Sequence, residues 1–196
     1  MLIMSLGILA KKREMTRVYE DGKMVPVTVL EVLPQEVVRT KNAEKDGYNA
    51  IVVGALKKGL DKNKGIKVKY SYQREFKVKD LNVAEGFVEK FLEDLKEVKL
   101  RGASKGKGFQ GVVKRFGFGG WPDTHGSKFH REIGSTGQRK PRRTAKGYPM
   151  PGRMGGEKIT LSSVKVVWVV EKDGRKFILV KWSVPGAYNS VVELIR

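Results

Sequence analysis

The two histidines of the chain, His125 and His130, lie five positions apart, and Lys128 stands between them. Imidazole groups beside an ammonium group can act as general acid and base on the phosphodiester backbone of RNA. The surrounding residues argue against catalysis, because they are rich in glycine and a catalytic group must be held by a rigid frame. We therefore expect both histidines to contact phosphates or bases. An RNA-cleaving enzyme that uses His125 and His130 is kept as an alternative.

A second candidate for chemistry is the run Lys105-Gly106-Lys107-Gly108. Glycine lets backbone N–H groups come close to an anion, and lysine neutralises its charge, so the run is typical of a phosphate contact. It lacks the Gly-Lys-Ser/Thr order that opens a helix in nucleotide-hydrolysing loops. The run predicts phosphate binding without nucleotide hydrolysis.

Metal and cofactor chemistry are both disfavoured by composition. The chain has no cysteine, which excludes a thiolate zinc site and a cysteine nucleophile. Two histidines without clustered carboxylates make a poor metal site. We expect neither a metal nor a cofactor.

Residues 101–157, called here the basic segment, differ from the rest of the chain. They hold 13 of the 40 Lys and Arg residues and 14 of the 23 glycines, but only three acids. Their leucine, isoleucine and valine residues are Val112, Val113 and Ile133 alone. Such a segment buries too little apolar surface to offset the entropy of ordering its backbone. We expect it to be an insertion that a polyanion orders, and to be mobile in the free protein.

Aromatic residues interleaved with the cations indicate which polyanion this is. Glycine and proline interrupt any amphipathic helix, so a membrane surface is not the expected partner. Flat rings beside arginine and lysine suit stacked bases and phosphates, which favours RNA. A plain basic linker and a free-standing RNA chaperone are the alternatives. The candidate RNA-binding residues are Lys11, Lys12, Arg13, Lys105, Lys107, Lys114, Arg115, Trp121, His125, Lys128, His130, Arg131, Gln138, Arg139, Lys140, Arg142, Arg143, Lys146 and Arg153.

The whole chain of 196 residues has a formal net charge of +19, which also favours a nucleic-acid partner. No apolar run approaches the roughly 18 residues that a membrane-spanning helix needs. The apolar start, residues 1–10, is followed rather than preceded by positive charges, so a signal peptide is not expected. These features predict a cytoplasmic protein with no membrane partner.

The remaining sequence has the pattern of short antiparallel strands. Asp21-Gly22 and Asp173-Gly174 are hairpin signals between runs of alternating apolar residues. Residues 83–98 have helical spacing, and Asn82 with Glu85 resembles a capping box. We predict a mainly β fold: a small antiparallel closed β-barrel with one short helix and a long, basic, glycine-rich extended insertion. Residues 1–100 and 158–196 would form the barrel body, and 101–157 the RNA-binding insertion.

Several motifs in one order carry a family resemblance that spans nearly the whole chain. The chain resembles the bacterial type of the universal family of large-subunit ribosomal protein three. The matching motifs include Gly102-Ala103-Ser104-Lys105-Gly106-Lys107-Gly108-Phe109, Gly111-Val112-Val113-Lys114-Arg115-Phe116, Thr124-His125-Gly126-Ser127, Gly134-Ser135-Thr136-Gly137-Gln138, Met150-Pro151-Gly152-Arg153-Met154-Gly155 and Val184-Pro185-Gly186.

The resemblance implies a structural constituent of the large ribosomal subunit that binds its 23S rRNA and nucleates early subunit assembly. It also implies an insertion that reaches toward the peptidyl transferase centre, and neighbours among the large-subunit proteins numbered fourteen and nineteen. Two positions depart from the family pattern. Glu14 replaces a usual glycine, and Arg153 replaces a glutamine that many relatives methylate, so that modification cannot occur here.

Overall fold

The computed structural model describes residues 6–20, 22–57, 69–78, 86–140 and 142–196. The prediction of a mainly β chain is confirmed. The strands are β1 (Gly7–Glu20), β2 (Lys23–Val32), β3 (Gln35–Lys41), β4 (Ala50–Leu56), β5 (Tyr70–Lys77), β6 (Glu97–Ala103), β7 (Gly108–Gln110), β8 (Gly152–Met154), β9 (Lys158–Lys172), β10 (Arg175–Lys181) and β11 (Val191–Ile195). The helices are α1 (Ala43–Asp46), α2 (Phe87–Leu92) and α3 (Val112–Phe116).

Six strands form one antiparallel sheet in the order β1, β11, β6, β9, β10 and β2, and β2 also pairs with β1. Both predicted hairpins are present in this sheet. Glu20 pairs with Lys23 across the first turn, and Lys172 pairs with Arg175 across the second. Asp173 and Gly174 have φ values of 51° and 66°, the left-handed conformation that a two-residue hairpin requires.

The interior of this sheet is apolar because alternate residues of each strand point inward. Ile8, Leu30, Leu100, Ile178 and Leu194 come from five different strands and are completely buried. They belong to one continuous hydrophobic cluster. This core holds the six strands together and so positions the residues on the outer surface of the sheet.

Strands β3, β4 and β5 form a separate antiparallel sheet, which the sequence did not predict. Its residues Ile51, Val53 and Phe76 are buried in the same cluster as the core of the six-stranded sheet. Ion pairs brace its outer edges. Lys69 and Tyr70 donate hydrogen bonds to Glu36 and lower the pKa of that carboxyl, and Lys41 does the same for Glu75.

The prediction of one short helix is wrong in number and in extent, since the described residues include three short helices. Within the range 83–98, helix α2 ends at Leu92, and Asp94 has a φ of 48°, which a continuing helix cannot accommodate. Val98 already lies in β6. The proposed capping box of Asn82 and Glu85 lies outside the described residues.

Two carboxylates are buried on the outer side of the six-stranded sheet, and each is surrounded by cations. Glu193 accepts a hydrogen bond from Arg74 at 2.7 Å, and Arg101 and Lys158 lie 3.6 and 4.0 Å away. Glu31 pairs with Arg13 and with Arg175. Because they are paired in this way, the carboxylates avoid the large free-energy cost of an isolated buried charge.

The chain divides into two compact units. The first, called here the body, comprises Met1–Ala103 and Lys158–Arg196, and the second, called the arm, comprises Ser104–Glu157. The arm therefore begins three residues later than the predicted insertion, because Arg101, Gly102 and Ala103 complete strand β6. Among the described residues, no helix is long and apolar enough to cross a membrane.

Candidate nucleic-acid interface

The base of the arm is a two-stranded ribbon made from two of the motifs found in the sequence. Strand β7 pairs antiparallel with β8, and the N–H of Lys107 donates to the carbonyl of Met154 at 2.9 Å. Gly155 has a φ of 74°, and a Cβ built there would lie 2.2 Å from the carbonyl oxygen of Lys105. The glycine is required both by its backbone conformation and by this close approach.

The ribbon brings an exposed aromatic ring and an exposed guanidinium to the same place. Phe109 is directly opposite Arg153 in the β7–β8 register, and opposed residues of an antiparallel pair project from the same face. The Phe109 side chain is 77% exposed. Lys107 comes one residue before β7, so the strand register brings a ring, a guanidinium and an ammonium-bearing residue to one short part of the ribbon. Such a combination can stack on a base and neutralise a phosphate.

Arg115, one of the predicted RNA-binding residues, makes contacts within the arm. It lies in α3, and its Nη1 donates to the carbonyl oxygen of Met150 at 2.7 Å. A Cβ at Gly152 would lie 2.6 Å from the same nitrogen, so the guanidinium packs against the β8 backbone. Its carbon Cζ also lies 4.9 Å from the centre of the Phe116 ring. These contacts use Arg115 to hold the arm together.

Trp121 likewise holds two parts of the arm together. Its backbone N–H donates to the carbonyl of His130 at 3.1 Å, and its indole Nε1–H donates to the carbonyl of Glu132 at 3.2 Å. The ring covers Gly134, where a Cβ would lie 2.8 Å from the indole. Half of the Trp121 surface remains exposed, so one part of the ring is still accessible.

The two histidines do not form a buried catalytic pair. His130 Nδ1 lies 3.2 Å from Asp123 Oδ1, and both side chains are largely exposed. His125 is exposed and has a φ of 56°, so it occupies a turn. No cluster of three or more potential metal-binding side chains occurs within the part of the chain that the structure describes.

Most of the predicted RNA-binding residues of the arm are exposed. They are Lys105, Lys107, Lys114, Lys128, Arg131, Gln138, Arg139, Lys140, Arg142, Arg143, Lys146 and Arg153. Across the described residues of the arm, the only ion pair is that between His130 and Asp123. The lysine and arginine charges of the arm are thus without carboxylate partners in this structure.

The predicted residues near the start of the chain are less accessible than those of the arm. Lys12 Nζ donates to the carbonyls of Val184 and Gly186 at 2.6 and 3.1 Å. Arg13 pairs with buried Glu31 and also donates to Asn189. Their side chains hold parts of the body together, and Lys11 beside them is half-buried.

Three exposed aromatic residues of the arm were absent from the predicted RNA-binding residues: Phe109, Phe116 and Phe129. The signal that could have identified them is the scarcity of aliphatic residues in the basic segment. A phenylalanine in a segment that cannot form a core is available to a partner.

Comparison with known proteins identifies the family. A sequence model described as Ribosomal protein L3 matches residues 62–176. The chain is 42% identical over 200 residues to the large ribosomal subunit protein uL3 of Borrelia hermsii (strain HS1 / DAH), with 95% of each chain covered. It is 44% identical over 207 residues to the protein of the same name from Desulfitobacterium hafniense (strain Y51), covering 99% of this chain and 97% of that one. The chain therefore belongs to the ribosomal protein L3 family, whose members are structural proteins of the large ribosomal subunit and not enzymes.

Proposed function

We propose that this protein binds the 23S rRNA of the large subunit in the cytoplasmic ribosome, nucleates early assembly of that subunit, and extends its arm toward the peptidyl transferase centre. Its body would lie against neighbouring large-subunit proteins, those numbered fourteen and nineteen. We also propose that the strands of the body close into a barrel, as the sequence predicts.

The observation that carries the proposal is the contrast in charge pairing between the two units. In the body, cations such as Arg13, Lys41, Arg74 and Lys176 pair with carboxylates. The arm has 12 Lys and Arg residues and three acids, and its described residues contain no Lys or Arg ion pair. Unpaired cations on an extended segment release counterions when they meet phosphates, which gives strong binding to RNA.

Aromatic exposure in the arm supports the same conclusion. Phe109, Trp121 and Phe129 are all at least half exposed. Exposed rings among unpaired cations are costly in water but useful against unstacked bases.

Sedimentation of assembled subunits tests the proposal. Large subunits that contain the tagged full-length protein are washed at high salt and sedimented again. We expect the protein to remain with the subunit, because an arm surrounded by rRNA is held by many contacts at once. Release at a salt concentration that leaves other core proteins bound would contradict the proposal and would favour a peripheral RNA chaperone.

A further inference from the structure

Trp182 follows β10 in a backbone conformation that bulky residues rarely adopt. Its φ is 71°, in the left-handed region where a Cβ is crowded. Two hydrogen bonds fix this conformation. The Trp182 N–H donates to the carbonyl of Pro26 at 2.9 Å, and its own carbonyl accepts from the hydroxyl of fully buried Thr28 at 2.6 Å.

The Trp182 side chain gains little burial in return. It is 62% exposed, although tryptophan has one of the largest apolar surfaces of any residue. Glycine would adopt the same φ without strain. An unfavourable backbone conformation that presents a large ring to solvent marks a position where the ring itself has a use.

Trp182 lines a groove of about 510 Å³ on the body, a volume typical of sites for small molecules. Two lysines and three serines line the same groove. Val180 pairs with Val166, so Lys181 and Lys165 occupy the next positions along their two strands. The polar lining residues are Ser162, Ser163, Lys165, Lys181 and Ser183.

The charge of the groove is positive. Within the described residues, neither Lys165 nor Lys181 has an ion-pair partner, and the lining includes no carboxylate. The nearest acid in the strand register is Glu97, opposite Lys165. Its carboxylate accepts a hydrogen bond from the Ser163 hydroxyl at 2.5 Å. One of the three serine hydroxyls of the groove therefore already has a hydrogen-bond partner.

We propose that this groove binds one unpaired nucleotide of RNA, with the base stacked on Trp182 and the phosphate neutralised by Lys165 and Lys181. Stacking on an aromatic ring does not depend on base identity, and serine hydroxyls can donate to phosphate and ribose oxygens. A protein partner fits the groove less well, because two adjacent ammonium groups would need carboxylates to neutralise them. The inference rests on the proposed rRNA binding and adds a contact on the body to those of the arm.

Photocrosslinking tests the site directly. The full-length protein is bound to large-subunit rRNA that carries 4-thiouridine, irradiated, and digested with trypsin. Residues 182–196 form one tryptic peptide that begins with Trp182, since the next basic residue after Lys181 is Arg196. We expect mass spectrometry to locate a crosslink at Trp182.

Trp182→Gly should abolish this crosslink and lower rRNA affinity about tenfold, the typical loss of one stacked base. Its urea midpoint should be unchanged or higher, because glycine relieves the positive φ. Trp168→Ala is the matched control. Trp168 is also about half exposed on the body but has no positive φ, and its loss should leave affinity within about twofold.

Three results would overturn the inference. Crosslinks confined to arm peptides, with unchanged affinity for Trp182→Gly, would reject the groove and leave the proposed function intact. No crosslink to any part of the chain would reject both. A crosslink from the 182–196 peptide to a protein in assembled subunits, with none to RNA, would assign the groove to a protein neighbour.

Discussion

Arg153 allows the proposed RNA contact at the base of the arm to be tested at a single residue. It is opposite exposed Phe109 on the β7–β8 ribbon, where a planar guanidinium can stack on a base and pair with a phosphate together. Arg153→Lys keeps the charge but loses the planar group. We expect rRNA affinity to keep its salt dependence, while the yield of reconstituted large subunits falls severalfold. Equal yield and equal growth for Arg153→Lys and wild type would mean that Arg153 is a simple counter-charge.

Gly155 offers a second test at a single position. Gly155→Ala places a Cβ 2.2 Å from the Lys105 carbonyl oxygen at a φ of 74°, so the ribbon must shift at a cost of about 1–3 kcal/mol. We expect rRNA affinity to fall about tenfold with no change in the thermal unfolding of the body. Gly106→Ala is the matched control, because its Cβ would meet no atom within 4 Å. Equal affinity for the two variants would show that the ribbon geometry has no part in binding.

Among the elements of the body, strand β11 carries a buried charge that joins several strands. Glu193 on β11 contacts Arg74 on β5, Arg101 on β6 and Lys158 on β9. Glu193→Gln would leave these cations without their shared carboxylate. Because the cations are partly exposed, we expect a loss of about 1–3 kcal/mol in the free energy of unfolding, measured by urea denaturation.

Glu89→Gln is the control for this change. Glu89 pairs with Lys176 at 3.0 Å but is mostly exposed, so its loss should change the free energy of unfolding by less than about 1 kcal/mol. If Glu193→Gln were no more harmful than Glu89→Gln, the buried cluster would not stabilise the body.

Sequence reasoning succeeded for elements whose partners are close in the chain. Both Asp-Gly hairpins were predictable, because the turn residues and the alternating strands flank each other directly. Strand β6 was missed because Leu95 and Val98 continue the helical spacing of Phe87 and Phe91. The alternation of Val98, Leu100 and Gly102, all buried, was the available signal for a strand.

The pairing of β3, β4 and β5 into a separate sheet could not be predicted from local sequence. Its strands were partly visible in the sequence, but no local feature determines whether Val37 and Val53 pair with each other or with strands of the six-stranded sheet. Pairing partners are chosen by long-range packing.

In the arm, the exposed cations were predictable from composition. The internal use of Arg115 and Trp121 was not, because it depends on carbonyl groups that lie 11 to 35 residues away.

At the scale of the whole molecule, the body and the arm should differ in order when RNA is absent. The body has a large buried core, while Val112 is the one fully buried hydrophobic residue among the described residues of the arm. We expect amide exchange of the free protein to show strong protection in the body and little in residues 105–156. Strong protection throughout the arm in the absence of RNA would show that it folds by itself.

The salt dependence of rRNA affinity tests the central claim, that unpaired cations of the arm bind phosphates. Each phosphate contact contributes about −0.7 to −0.9 to the slope of log affinity against log salt concentration. Changing Arg139, Lys140, Arg142 and Arg143 to glutamine should reduce the magnitude of the slope by about 3. The same change at exposed body residues Lys23, Lys45, Lys99 and Lys172 alters the net charge equally and should reduce it by less than about 1. A similar reduction in both variants would mean that only net charge attracts the RNA, and would contradict the account.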